Sequence, residues 1–253
     1  MNPDPTFDGL KLPYERDFNS AAEAIEEYRR LVAEIDSTTL DEIIGIQVKQ
    51  AGTICWSTDE FEQSDHGKAN VHVGLWETHY RDNPLQKPCW WQDTERSQPS
   101  RPLAGLKVIE LGRAVAAPTI TRGLAELGAS VMRITAPHLC DLSSVHPDLN
   151  WGKWNASLDL RNEEDRQKLR DLVATADIFV QGYRPGVFDK YSFGEDDLFE
   201  LTKSRTRGLI YIRENCFGWQ GPWKDRTGWQ QISDAVSCKI LLGYRFLQCH
   251  APY

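Results

Sequence analysis

Between residues 106 and 213, short apolar runs alternate with amphipathic stretches, and no other feature of the chain limits its fold so much. Residues 106–111 (LKVIEL) read as a buried strand with one internal acid, Glu110. Residues 118–127 read as a helix, closed by Gly128 because glycine accepts the left-handed conformation that stops a helix. Residues 130–135 (SVMRIT) make a second strand, and residues 157–160 (SLDL) a weaker third. The helix predicted over 162–174 carries acids early and Lys168 and Arg170 late, the polarity that suits a helix dipole. Residues 177–181 (DIFVQ) form a further strand, 196–204 a short helix, and 208–213 (GLIYIR) a last strand. Strands that alternate with helices pair in parallel and are covered on both faces. The predicted fold class is therefore α/β with a mainly parallel sheet.

The flanks carry weaker signals. Residues 1–101 read as a mostly helical, aromatic-rich extension that ends in a linker. Ala21, Ile25, Tyr28, Leu31 and Val32 recur at helical spacing within residues 20–35, with Ser20 placed to cap them. A second helix is expected after Asp36, reaching about Lys49. His66, His72 and His79 follow at spacings that match no compact metal motif, so packed or surface histidines are the simpler reading. Residues 94–102 (TERSQPSRP) are polar with two prolines and read as the linker. The α/β domain is expected over 102–235, and residues 236–253 read as a divergent tail.

Composition excludes several classes of function. The 253 residues allow one large domain, or a small one with an extension. With 40% hydrophobic and 26% charged residues, this is the balance of a globular protein. A net charge of -8 argues against nucleic acid or an anionic membrane as partner. No apolar run is long enough to span a bilayer, and the N-terminus does not read as a secretory signal. The six cysteines are scattered without a CxxC pair, which predicts reduced thiols in a cytoplasmic setting rather than a disulfide framework or a metal site.

In an open parallel sheet, ligands bind beyond the carboxyl ends of the strands, so the loops there hold the candidates. After the first strand comes Gly112-Arg113-Ala114-Val115-Ala116-Ala117-Pro118. Small side chains let backbone amides approach an anion at the start of the next helix. Tight strand–helix packing would select the same alanines, and the loop alone does not decide between the two. After DIFVQ come Gly182, Tyr183 and Arg184, which offer close backbone approach, a stacking ring and a phosphate partner, or else only a turn with a surface arginine. The loop after GLIYIR, residues 214–223, holds two glycines, a proline and three aromatics, and either walls a pocket or packs on itself. A dinucleotide site is disfavoured: the first loop has no GxGxxG, and no acid follows the second strand to hold a ribose. An NAD-dependent oxidoreductase is kept only as an outsider.

Taken together, these segments resemble family III CoA-transferases, the CaiB/BaiF group. The resemblance is carried by PLAGLKVIEL, the small loop ending in Ala-Pro, LAELGASVMRI, SLDL, ADIFVQGYRPGVFDKYSF, LIYIRENCFGWQGPW and DRTGWQQISDA, in the family's order. The layout is also similar to fungal members with an N-terminal extension. The resemblance implies a Rossmann-like half of the family's large domain, with coenzyme A or acyl-CoA as substrate and no covalently bound cofactor. It implies CoA contacts at Ala114, Val115, Ala116, Leu160, Gly182, Tyr183, Arg184, Lys190, Asn215 and Cys216. It implies transfer of CoA from an acyl-CoA donor to a carboxylic acid acceptor, in a full-length protein that forms a homodimer.

Two departures qualify this expectation. Thr135-Ala136 stands where members often carry a charged residue, which puts one phosphate or adenine contact in doubt. The family's nucleophilic aspartate, which attacks the thioester to give a mixed anhydride, lies beyond the segment matching GWQQISDA. The resemblance is lost near Val236, so no catalytic residue is assigned and this form is expected not to turn over. The alternative is a non-catalytic CoA-binding or scaffolding fragment. The related racemases place a histidine where Trp229 stands, and an indole cannot act as that base.

Overall fold

The computed structural model describes residues 4–12 and 17–236, so the tail expected from residue 236 lies outside the described residues except for Val236 itself. The chain divides into two compact units, residues 1–77 with 215–253, and residues 78–214.

The first unit is helical and held by side-chain caps. Ser20 accepts the Glu23 amide and starts the helix Ala21–Ala33. Asp36 accepts the amides of Thr38 and Thr39 at the head of Ser37–Asp41. That helix widens into a π-helical stretch, Glu42–Gln47, against which Arg226 docks. The guanidinium pairs with both Asp41 oxygens at 2.6 and 3.1 Å, and a side chain at Gly45 would collide with it. Phe7, Leu10, Leu12 and Ile44 form the apolar cluster, with Tyr28 and Leu31 against it. His66 is a packed histidine: it is buried, its Nε2 lies 2.9 Å from the Phe217 carbonyl, and its ring stacks on Trp223.

The helical reading of the N-terminal region holds as far as Asn70. From residue 71 to 101 there is neither helix nor strand, only an isolated bridge between Gln98 and Arg101. Part of this segment belongs to the second unit and is tied there by polar side chains. Asn83 and Gln86 donate to the carbonyls of Lys203 and Thr202, satisfying groups that a helix end leaves open.

The second unit is the α/β domain. Its elements are β1 (Lys107–Leu111), α1 (Ala116–Glu126), β2 (Ser130–Thr135), β3 (Lys153–Ser157), α2 (Glu163–Val173), β4 (Ile178–Gln181), α3 (Glu195–Thr202) and β5 (Ile210–Arg213). All pairings are parallel and the strand order is β3-β2-β1-β4-β5. Side chains alternate between the faces, as the pleat requires. Ile109, Leu111, Ile134 and Phe179 pack with Leu169 and Val173 of α2 and Leu198 of α3. Val108, Val131, Ile178 and Val180 pack on the opposite side, with Ala117 of α1. Gly128, at φ +106°, follows α1 as the predicted stop.

The third strand corrects the sequence reading. It lies at Lys153–Ser157, paired with β2 from Val131↔Lys153 to Thr135↔Ser157, and not at 157–160. The sequence KWNAS sits at a sheet edge with Trp154 exposed, so no apolar run announces it. Leu158 is buried just past the strand, and the chain then turns through Asp159, whose carbonyl accepts the Asn162 amide at 2.9 Å.

Candidate functional site

The strand order reverses between β1 and β4, which makes a crevice at their carboxyl ends. The loop after β1 is shaped by three close approaches. A Cβ on Gly112 would lie 2.9 Å from the Ala117 Cβ, and one on Gly182 would lie 2.7 Å from the same atom. Gly182 also faces Glu214, at the end of β5, whose carboxyl burial pushes toward the protonated form. The smallness of Gly112, Ala117 and Gly182 is therefore used up in packing the two loops together. What stays open is Val115 and Ala116, both exposed, at the start of α1, where no side chain from Val115 caps the helix. Ala114, half-buried, has φ +59°, a left-handed backbone that alanine adopts at a disadvantage.

A layer of charge lies under this loop, on the α1 face of the sheet. Glu110 in the middle of β1 and Lys153 at the start of β3 have no exposed side-chain surface, and their charged atoms are 2.8 Å apart. The Lys153 ammonium spends its three donors on Glu110, the Pro118 carbonyl and the Thr121 hydroxyl, each at 2.8 Å. Burial pulls its pKa down, while the Glu110 carboxylate pulls it back up. Arg133, opposite Glu110 in the register, lies 3.5 Å from its other oxygen and pairs on its far side with Asp141. Asp141 in turn accepts the Ala114 amide at 3.2 Å and its own neighbour Leu142 at 2.8 Å. Arg113 donates to the Cys140 carbonyl in the same segment. The loop after β1 is thus latched to the segment after β2.

The residues expected at a CoA site fall into four groups. Ala114, Val115, Ala116, Gly182 and Tyr183 gather at the crevice. Tyr183 is partly buried there, with its ring edge-on to Phe188 at 5.2 Å. Burial pushes its phenol up to about 12, with Arg113 opposing the rise and Asp141 adding to it. Leu160 is not a strand end; it packs on the apolar cluster that also takes up Tyr183. Arg184 and Lys190 are exposed, Lys190 lying 4.8 Å over the ring of Tyr191. Asn215 and Cys216 belong to the other unit, where Asn215 closes its own loop by donating to Gly218 and Lys224. Sequence reasoning missed Arg133, Asp141 and Lys153. The only signal was the acid inside an apolar strand, which demands a buried cation somewhere.

These loops can be compared with those of known proteins. The profile of CoA-transferase family III matches residues 103–243. The chain belongs to this family. The match continues past Val236, where the sequence reading had ended it. An acetyl-coenzyme A transferase of Hypoxylon pulicicidum is 51% identical over 247 residues, 96% of this chain and 42% of that protein. An acyl-CoA transferase of Gibberella moniliformis is 35% identical over 188 residues, 74% of this chain and 33% of that protein. Among solved structures, a CAIB/BAIF family protein from Brucella suis is 30% identical, with 54% of this chain and 39% of that one covered and a TM-score of 0.49. The chain spans less than half the length of these curated relatives. The similarity to the Hypoxylon transferase takes in the N-terminal helical region as well as the α/β unit of this family III chain.

Proposed function

We propose that this family III chain binds coenzyme A or acyl-CoA at the crevice between β1 and β4 and serves CoA transfer to a carboxylic acid acceptor. The observation that carries the reading is the loop from Gly112 to Pro118. It leaves Val115 and Ala116 exposed at an uncapped helix start, beside a left-handed Ala114, where an anion gains from both the open amides and the helix dipole. The strand order is that of the first five strands of the doubly wound nucleotide-binding fold, which supports a Rossmann-like reading of the unit.

In this proposal Ala114, Val115, Ala116 and Gly182 supply backbone contacts, and Leu160 and Tyr183 supply apolar surface. Arg184 and Lys190 are exposed cations for phosphate. Asn215 and Cys216 are proposed contacts by position in the family pattern. Arg184 makes no ion pair among the described residues, so its charge is available to a ligand. The described residues carry the holding of CoA; the step that breaks the thioester is assigned to none of them. A homodimer and a cytoplasmic setting are part of the same proposal. No helix among the described residues is long and apolar enough to cross a membrane, and Cys55, Cys89 and Cys140 are exposed thiols in no disulfide.

Two measurements test it. Immobilised CoA should retain the chain, and Arg184→Ala should weaken retention with no change in thermal stability. A CoA-transfer assay with an acyl-CoA donor and an acid acceptor then separates turnover from binding alone. Absence of CoA affinity in folded protein would remove the proposal; affinity without turnover would leave a CoA-binding role.

A further inference from the structure

We infer that Asp141 is the positioning residue of the loop after β1. Its carboxylate holds Ala114 in the left-handed conformation that gives this loop its ligand-holding shape. The inference rests on the CoA-binding reading above and adds to it a residue outside the family-pattern contacts.

Ala114 is the only non-glycine residue between 106 and 190 whose backbone has positive φ. Nothing in its own side chain favours that state. A compensating interaction is therefore required, and the bond from its amide to Asp141 Oδ1 supplies it. Asp141 is itself held. Oδ1 also accepts the Leu142 amide, and Oδ2 faces Arg133 and the His146 Nε2, the latter at 3.1 Å. Arg133 is almost fully buried and anchored on Glu110, which Lys153 anchors in turn. Charge thus runs from the sheet interior to the amide of one strained residue without a break. Arg113, the residue before Ala114, adds a second tie to the Cys140 carbonyl. Such a chain fixes a binding loop before the ligand arrives, which spares the ligand the work of ordering it.

The test pairs two substitutions. Asp141→Ala should raise the Kd for CoA about tenfold, because Ala114 then relaxes out of the left-handed region. Ala114→Gly in the same chain should recover most of that loss, since glycine meets no penalty there. A residue that merely supports stability would lower the melting temperature without this rescue. Unchanged CoA affinity in folded Asp141→Ala, or no recovery with Ala114→Gly, would overturn the inference. Amide hydrogen exchange on the unaltered chain covers the case in which Asp141→Ala does not fold. The Ala114 amide should exchange more slowly than that of the exposed Val115; equal rates would refute the latch. If the unaltered chain shows no affinity for CoA, the functional reading fails, while the exchange measurement still decides what Asp141 does.

Discussion

The Lys153 ammonium and the Glu110 carboxylate meet at 2.8 Å with neither side chain exposed to solvent. Removing one partner of such a pair leaves an uncompensated charge in the interior and costs about 3–5 kcal/mol. Lys153→Met should therefore destabilise the chain by about that amount in urea unfolding. Lys153→Met combined with Glu110→Leu should lose much less, because no orphan acid remains. A single substitution that loses under about 1 kcal/mol would show that Arg133 alone neutralises Glu110.

Two glycines give opposite expectations. Gly182→Ala would place a methyl 2.7 Å from both the Ala117 Cβ and the Glu214 carboxylate, so the two loops must part, at about 1–3 kcal/mol. Gly123, inside α1, has nothing within 4 Å of a new Cβ. Gly123→Ala should stabilise by about 0.5–1 kcal/mol through helix propensity. Equal effects at the two sites would contradict the packing described for Gly182.

Tyr183 gives a pH signature. Its phenol stands at about 12 against an ordinary 10.0, raised first by burial. The folded form holds its proton more tightly than the unfolded form, so this group's contribution is complete below pH 10.0 and is lost as pH rises toward about 12. Tyr183→Phe should flatten that part of the alkaline unfolding curve. Ultraviolet titration should show one tyrosine fewer ionising late; a profile identical to that of the unaltered chain would argue against it.

Asp159 gives the acid counterpart. Hydrogen bonding from Arg161 brings its carboxyl down from 3.8 to about 2. Its contribution is present above pH 3.8 and fades as pH falls through about 2. Carbon NMR titration of Arg161→Ala should return Asp159 toward 3.8, and no movement would rule out Arg161 as the cause.

Most of the α/β unit was legible because its strands are apolar runs bounded by glycine and by helical patterns. β1, β2, β4 and β5 fall within a residue or two of their predicted places. β3 did not, because an edge strand with an exposed Trp154 and a buried Lys153 lacks the pattern that marks an interior strand. The site was half legible. Small residues in 112–118 and 182 stood out, but their spacing could not say that Ala117 and Gly182 pack closely against each other. Asp141 was invisible for a different reason. It sits in a loop, and its importance comes from the amide of Ala114, a partner 27 residues earlier in the chain.

The register that sets Glu110 beside Arg133 also guards the sheet against mispairing. Parallel apolar strands carry little information about where one should stop sliding past the next. A slip of β2 by one residue would turn Arg133 onto the opposite face, among Phe179, Leu169 and Val173, and would bring Met132 or Ile134 over the Glu110 carboxylate. Both halves of that exchange are unfavourable. The ionic layer under the loop therefore acts as a key that admits a single alignment of the central strands, and the shape of the crevice above them is decided when that alignment forms.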